Sequence, residues 1–596
     1  MGDMILGIDL GTTNSAVGVV DSGFPILLAN EDGRRITPSA AWFGAAGEVE
    51  IGARALRRRM LDSGRVITSV KRLMGRRHGD EAEFCVPMEP ASDGGVTILG
   101  RTPEAVSAEI LKDLKRIAEW RLETTVSKAV ITVPAYFNDS QRAATKRAGE
   151  LAGLEVVRIL NEPTAAALAY GLDKLGEKSR VAVYDFGGGT FDLSILEMQD
   201  GVFQVLATHG DTRLGGDDLD HALAQWAAEQ AGLRFEALSP EAKVKFLEEA
   251  ERVKCVLSAT ESAVFRVPFY KGAESLETTV ARGDFEKLAA PLIARTLRHC
   301  RQALADATLD AAELTAVVLV GGSTRIPAVR KAVADCFGRE PDVSQHPDEA
   351  IALGATIQAG VISGAMRKMI LLDVTPLSLG LETFGGLMNV IIPRNTTIPC
   401  KAGEMFTNAA AGQRSMRLRV LQGEREMARD NWELGGFEVA FDPLPKGHAR
   451  VGVQFRIDEN GILEVLARDV ATGLDTIVKI ESAAVNVDDA AVEQMVSESV
   501  EHAFDDMAER IFTEARLKAE ELLPAVDMVL AQELATTGEQ VAIESAAAEV
   551  REALVAGSAN ALKAAVQRLD AATEALAARM VEQAMDAALE RRLAGS

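Results

Sequence analysis

The sequence predicts a multidomain protein in which a long α/β region of two related lobes is followed by an antiparallel β region and then by helices. Three observations carry that prediction. Residues 1 to about 366 alternate strand-like and helix-like runs, the pattern of helices layered on sheets. Residues 374 to about 484 switch to short period-2 runs divided by turn signals. From about residue 487 the chain is rich in Ala, Glu, Leu and Arg, interrupted by Pro524, Gly538, Gly557 and Gly595. A chain of 596 residues is too long for one hydrophobic core, so several domains are expected.

In the first region, MILGID and AVGVV are β-rich runs on either side of the turn-forming GTTNS. AVITVPA leads into helical SQRAATKRAGELAG, EVVRIL into PTAAALAY, and TAVVLVGG into IPAVRKAVADCF. The region also echoes itself. Asp9-Leu10-Gly11-Thr12-Thr13 and Asp185-Phe186-Gly187-Gly188-Gly189-Thr190 each end a strand in Asp and fill the next turn with Gly and Thr. Two related lobes facing one another across a cleft are expected from this.

The middle region is read from MRLRVLQG, VGVQFRID and ILEVLARD, with Asp458-Glu459-Asn460-Gly461 as its clearest turn. Between the two regions, Met369-Ile370-Leu371-Leu372-Asp373 is short and apolar and has no strand partner nearby in sequence. It reads equally well as a linker or as one more strand. The C-terminal segment reads as a helical bundle opening at a cap on Asp488 or Asp489. Its mixed acidic and basic residues argue against membrane binding.

Composition excludes several classes. An apolar share of 47% and a charged share of 26% describe an ordinary globular protein. A net charge of −24 argues against a nucleic-acid partner, because phosphate backbones demand clustered Lys and Arg. Cys85, Cys255, Cys300, Cys336 and Cys400 form no CxxC pair or metal-like spacing, and read as small apolar residues of a reducing compartment. No apolar run follows a basic N-terminal stretch, and none approaches the roughly 20 residues that span a bilayer. Leu6 stands where a myristoylation signal needs Ser or Thr. A cytoplasmic protein without a membrane partner is expected.

The chemistry lies in the turns. Phosphates need backbone N–H donors at close range, which Gly permits because it lacks Cβ, and hydroxyl donors, which Thr and Ser add. Gly11 to Thr13, Gly187 to Thr190, Gly215-Gly216 and Gly321 to Ser323 all have this composition, each beside an apolar strand. One such loop is weak evidence; four are much stronger. Asp9, Asp185, Asp192 and Glu162 are carboxylates at or near those turns that suit Mg²⁺ held through its water shell. An isolated Asp at a strand end is more often a turn or cap residue. There is no GxxxxGK[ST] phosphate loop, and Asp185-Phe186-Gly187 matches the kinase DFG by chance, since no HRDLxxxN loop accompanies it.

Seven motifs in order, GIDLGTTNS, VPAYFNDSQRAAT, ILNEPTAAALAYGL, YDFGGGTFDLSI, LGGDDLD, VGGSTRIP and DVTPLSLGLET, resemble the heat-shock protein 70 family over nearly the whole chain. That resemblance implies an actin-like α/β two-lobed ATPase domain at 1–366 and a linker at 367–373. It further implies an antiparallel β-sandwich peptide-binding domain at 374–484 and a C-terminal α-helical lid at 485–596. It implies ATP/ADP, Mg²⁺ and K⁺ as cofactors. By motif, Asp9, Gly11, Thr12, Thr13, Gly187, Gly188, Gly189, Gly215, Gly216, Gly321 and Gly322 meet phosphates. Lys71 in SVKRLMG helps position the attacking water. Glu162 and Asp185 join Asp9 around the metal, Thr190 supplies a γ-phosphate hydroxyl, and Asp192 a second acid near the water. Glu251, Lys254, Ser258, Ser323, Arg325 and Asp348 match the adenosine pocket, with Cys255 where the family has a basic or aliphatic residue.

The same resemblance assigns Leu381, Phe384, Phe406, Ala409, Met416 and Leu418 to the peptide groove, although alternating apolar residues are by themselves more often sandwich core. Arg142, Arg158, Leu371, Leu372 and Asp373 match positions that couple linker, clamp and a J-domain partner, while Lys368 departs from the acidic residue that usually opens the linker. A slow ATPase switching the grip on unfolded polypeptides is the implied activity. The DnaK-like general branch is favoured by NEPTAAALAYGLDK and DVTPLSLGLETFGG. The HscA-like branch, serving iron–sulfur scaffold proteins, is supported by the short LERRLAGS end and Met416. A segment between Ser258 and Arg282 shorter than the DnaK pattern weakens the expectation of an exchange factor. An actin-fold sugar kinase would share the phosphate loops but not need a β clamp and lid, and a filament-forming actin relative is a third class.

Overall fold

The computed structural model describes residues 4–76, 86–91, 95–172, 178–211, 213–367, 369–473, 475–479, 503–531 and 535–594. The chain divides into two compact units: 1–379 with 391–420 and 433–493, and 380–390 with 421–432 and 494–596. The cap expected at Asp488 or Asp489, the Lys368 departure and Cys85 lie outside the described residues.

The echo between the two Gly/Thr turns is repeated in topology. In one lobe the strands Glu155–Asn161, Lys128–Val133, Ile5–Leu10, Asn14–Asp21 and Phe24–Leu27 lie side by side. Ile5–Leu10 pairs in parallel with Lys128–Val133 and antiparallel with Asn14–Asp21. In the other lobe, Ser179–Phe186 pairs in parallel with Ala316–Val320 and antiparallel with Phe191–Gln199, which pairs antiparallel with Val202–Asp211. Each lobe therefore has a central strand with a carboxylate one residue from its end, a tight turn, and a returning strand. Fully buried central strands such as ILGIDL read as continuous apolar runs, as expected where helices cover both faces.

Helices Glu162–Gly171 and Ala350–Ser363 pack on the two sheets and on each other. Their approach depends on glycine: a Cβ on Gly354 would lie 1.8 Å from the Ala165 carbonyl oxygen. Gly7 is equally constrained, with a Cβ there 2.2 Å from the Thr356 nitrogen.

The apolar run after the α/β region is a strand as well as a connector. Ile370–Val374 adds in parallel to the edge of the second lobe, pairing Ile370, Leu371 and Leu372 with Val202, Phe203 and Gln204. Its partner lies more than 160 residues earlier, which is why no local signal announced it. Beyond it, Cys400–Phe406, Val451–Ile457, Leu463–Asp469 and Asp475–Lys479 form an antiparallel sheet.

The second unit contains the segment 380–390, the loop 421–432 and helices Ala503–Ala531, Thr537–Ala556 and Ala559–Ala594. Ala515, Ala519, Ile543, Ala547, Val550, Leu562 and Leu569 form the helical core. Pro524 does not end the first helix, because Leu522, Leu523 and Val526 keep that turn packed. Gly557 does end the second, in the left-handed region at φ 68°, with its N–H on Ala553 O. Among the described residues no helix is long and apolar enough to cross a membrane.

Candidate functional site: a carboxylate-lined cleft and an adjoining strand

Hydrogen bonds and close backbone approaches bring the four Gly-rich turns together. Gly216 N donates to Gly187 O (3.0 Å) and Asp217 N to Gly188 O (2.8 Å), tying the start of helix Gly216–Gln230 to the second-lobe turn. Ser323 Oγ donates to Gly187 O at 2.8 Å. From the first lobe, Thr13 Oγ1 faces Gly188, where an added Cβ would lie 1.9 Å away. That hydroxyl is buried and has no hydrogen-bond partner among the described residues. A helix N-terminus, small residues and an uncommitted hydroxyl make an anion cradle.

Carboxylates gather beside the cradle. Asp9 ends strand Ile5–Leu10 but for one residue, and its Oδ1 accepts from Thr132 Oγ1 at 2.8 Å. Burial, aided by the nearby Glu162 charge, pushes Asp9 up to about 7 against the opposing pull of Lys71. Asp185 is driven well above the usual carboxylate range by burial, then by Glu162, Asp192 and Asp9. Asp192 lies opposite Asp185 in the hairpin, and its Oδ1 accepts from Tyr136 N at 3.3 Å. Glu162 opens helix Glu162–Gly171 and forms a buried ion pair with Lys71 Nζ. Thr190 is buried, and its carbonyl closes the Gly187 turn at 3.0 Å. So much negative charge held out of water calls for a cation. Among the described residues no three His, Cys, Asp or Glu side chains could ligate one directly. Asp9, Glu162 and Asp185 could hold Mg²⁺ through its waters.

A cavity of about 510 Å³ opens next to the turns, lined by Thr12, Thr13 and Glu251 of the expected residues. Lys254 Nζ bridges Asp220 Oδ2 (2.7 Å) and Gly216 O (3.1 Å), and Ser258 Oγ donates to Lys254 O at 3.2 Å. Arg325 is paired with Asp348, whose Oδ1 would lie 3.4 Å from a Cβ on Gly322. A Cβ on Gly321, at φ 83°, would lie 2.4 Å from Phe186 O. Gly11, Gly189 and Gly215 are likewise closed to a side chain, by Asn14 O, Thr12 Cγ2 and Gly188 O.

Sequence reading missed Arg72. Its guanidinium donates to Gly189 O (3.0 Å) and Asp218 Oδ2 (2.7 Å), crossing from the first lobe to the second, and it lines the cavity. Its only sequence signal is its place beside Lys71.

Of the residues expected to couple the regions, Arg142 and Asp373 lie near one another at strand Ile370–Val374. Asp373 is half-buried, and its Oδ2 accepts from Thr164 Oγ1 at 3.1 Å. Thr164 stands in the first turn of the helix that Glu162 opens, so a cleft carboxylate and the linker aspartate hang on one helical turn. Burial raises Asp373, with the Val374 N–H and Arg142 pulling the other way. Arg142 is locked by Phe137 O (2.9 Å), Ala135 O (3.0 Å) and Asn161 Oδ1 (2.7 Å), and the Gly461 turn sits against it. Arg158 approaches Glu459 at 3.6 Å, and Ile159 N donates to Asn460 Oδ1 at 3.0 Å.

A family model described as Hsp70 protein matches residues 5–582. The chain belongs to the Hsp70 family. Family membership makes it a chaperone whose ligands are ATP or ADP with Mg²⁺, and the cradle, uncommitted hydroxyl and crowded carboxylates suit that pair.

Of this Hsp70's expected groove residues, Leu381 and Phe384 belong to the second unit. Leu381 is fully buried on strand Leu379–Thr383, whereas Phe384 is 61% exposed. In the first unit Leu418 is buried, and Phe406, Ala409 and Met416 are half-buried. Within the second unit, helix Ala503–Ala531 lies on the Phe384–Gly386 turn, since a Cβ on Gly385 would lie 2.5 Å from Thr513 Cγ2. Arg425 grips Asp506 with two hydrogen bonds (2.5 and 2.9 Å), both side chains nearly buried. Arg429 pairs with Glu509, and Arg510 with Glu426, nearer the surface. Cys255, Cys300, Cys336 and Cys400 are free thiols.

Proposed function

We propose that this Hsp70 is a slow ATPase that clamps short, extended, apolar segments of unfolded proteins, with hydrolysis switching the clamp from fast to slow exchange. The observation that carries the reading is the shared helical turn of Glu162 and Thr164, which joins the nucleotide carboxylates to linker residue Asp373. Phosphoryl transfer asks a protein chiefly for positioning and charge stabilisation. Lys71, oriented by Glu162, would orient water, Thr13 and Thr190 would present hydroxyls to phosphate oxygens, and Asp192 would accept from the attacking water. Bound Mg²⁺ supplies charge neutralisation at the phosphates. One buried Leu of a guest peptide contributes only about 1.5–3 kcal/mol, so a long-lived complex needs a lid, and helix Ala503–Ala531 is the candidate.

The same reading takes Leu371 and Leu372 as the docking side chains of the linker, a J-domain protein as co-chaperone, K⁺ beside Mg²⁺, and the cytoplasm as its compartment. Within the family the general folding branch is proposed. Binding to an unfolded model polypeptide, compared with one iron–sulfur scaffold motif, tests that branch. The function itself is tested by dissociation of a fluorescent peptide with ATP and with ADP. Release at least tenfold faster with ATP is expected, and equal rates would end the reading.

A further inference from the structure

Strand Val202–Asp211 carries a histidine that the nucleotide chemistry does not use. His209 is buried, and its Nε2 lies 2.7 Å from Asp306 Oδ2 at the end of helix Arg282–Asp306. An ionised carboxylate only accepts, so Nε2 carries the proton. The same carboxylate accepts from Arg394 Nη2 (2.9 Å), Asn395 Nδ2 (3.3 Å) and Gln302 Nε2 (3.0 Å). Arg394 and Asn395 lie in the turn just before strand Thr397–Ile398, with Thr396 between, and that strand pairs with Asp373 and Val374 of the linker strand. One carboxylate therefore serves both a titratable ring of the ATPase sheet and a fixed cation of the turn seated beside the linker.

A second positive charge has nowhere to go at this point. His299 faces His209 at 6.3 Å between ring centroids, and Tyr136 stacks on it at 6.2 Å. Asp211, two residues away, is already paired with Arg295. Asp192 sits across the same sheet in the fully buried core, its Oδ1 accepting from Tyr136 N. Asp306 would then be shared between Arg394 and an imidazolium.

We propose that His209 is a proton sensor for the seating of the Arg394 turn: its protonation and the docking of Arg394 on Asp306 oppose one another. Burial first, then His299 and Arg394, hold His209 below the ordinary imidazole range, although Asp306 pulls it up by hydrogen bond and charge. A group lowered in the seated state favours seating at neutral pH, and that preference is lost as pH falls from the value of the unseated ring through that of the seated one. By reciprocity, removing Arg394 must raise His209. Only the functional consequence, acid weakening of ATP-driven peptide release, rests on the chaperone reading.

The test follows the imidazole resonances of the full-length chain against pH by nitrogen–proton correlation NMR. Arg394→Gln, which keeps a donor and removes the charge, should raise His209 by about one unit, while Arg394→Lys should leave it nearly unchanged. Equal values in the wild type and Arg394→Gln would overturn the proposal. A second readout is proteolysis of the 370–373 linker at about pH 5.5 and about pH 7.5. Cleavage should accelerate several-fold at the lower pH in the wild type and not in His209→Asn. The same acceleration in both would also overturn it. If the NMR shift is found while peptide release ignores nucleotide, the chaperone reading fails and this inference stands.

Discussion

The nucleotide cleft and the helical unit are held together by opposite means. In the cleft, glycines let backbones meet at distances no side chain permits, as at Gly354 on Ala165 and Gly215 on Gly188, and charges such as Lys71 and Glu162 are buried together. In the helical unit, apolar residues such as Ala519, Ala547 and Leu569 make the core, and most ion pairs stay near water, as Arg429 with Glu509 does. A buried charge that loses its partner is left uncompensated, whereas an exposed one is simply solvated. The difference predicts where a single substitution is felt.

The sharpest break of that contrast is Lys71→Ala. ATP binding should persist while single-turnover hydrolysis falls about 10²–10³-fold, the usual scale for losing one preorganised group; normal turnover would remove Lys71 from the site. Next, Gly354→Ala places a methyl 1.8 Å from a backbone oxygen, and should cost about 3 kcal/mol or more in urea unfolding of the chain. A change below about 0.5 kcal/mol would mean the two helices do not cross there. Leu371→Asp puts a charge on a half-buried strand residue beside Phe203, and peptide stimulation of ATP turnover should drop about 5–150-fold. Intact stimulation would separate linker from coupling.

The helical unit should respond more weakly. Arg425→Ala leaves Asp506 nearly buried and unpaired, and peptide dissociation with ADP should quicken by about tenfold, corresponding to about 1.4 kcal/mol. Arg429→Ala, at a pair whose arginine is 62% exposed, should change that rate by less than about twofold. A large effect at Arg429 and none at Arg425 would reverse the ordering by burial.

Much of the cleft was legible because its chemistry is local. Asp9-Leu10-Gly11-Thr12-Thr13 and Asp185 to Thr190 each contain a strand end and its turn, so composition alone marked them, and the repeated topology follows the repeated motif. Arg72 was not legible, because nothing in SVKRLMG tells which basic side chain pairs with Glu162 and which crosses to Gly189 and Asp218. Met369 to Asp373 was legible as an apolar connector but not as a strand on Val202 to Gln204, since pairing across so long a loop leaves no periodic trace. Pro524 interrupts the composition of its segment but does not end the helix, because packing of its turn outweighs the lost hydrogen bond.

By itself, the sequence determined the succession of α/β, β and helical regions, the four phosphate-type turns and the family, because periodicity and turn chemistry act over a few residues. Tertiary structure alone decided which donors meet a carboxylate: Lys71 with Glu162, Arg394 and His209 with Asp306, Thr164 with Asp373. Those pairings join residues from 88 to 209 positions apart, and only the folded chain sets the distances on which Coulomb energy and hydrogen bonding depend.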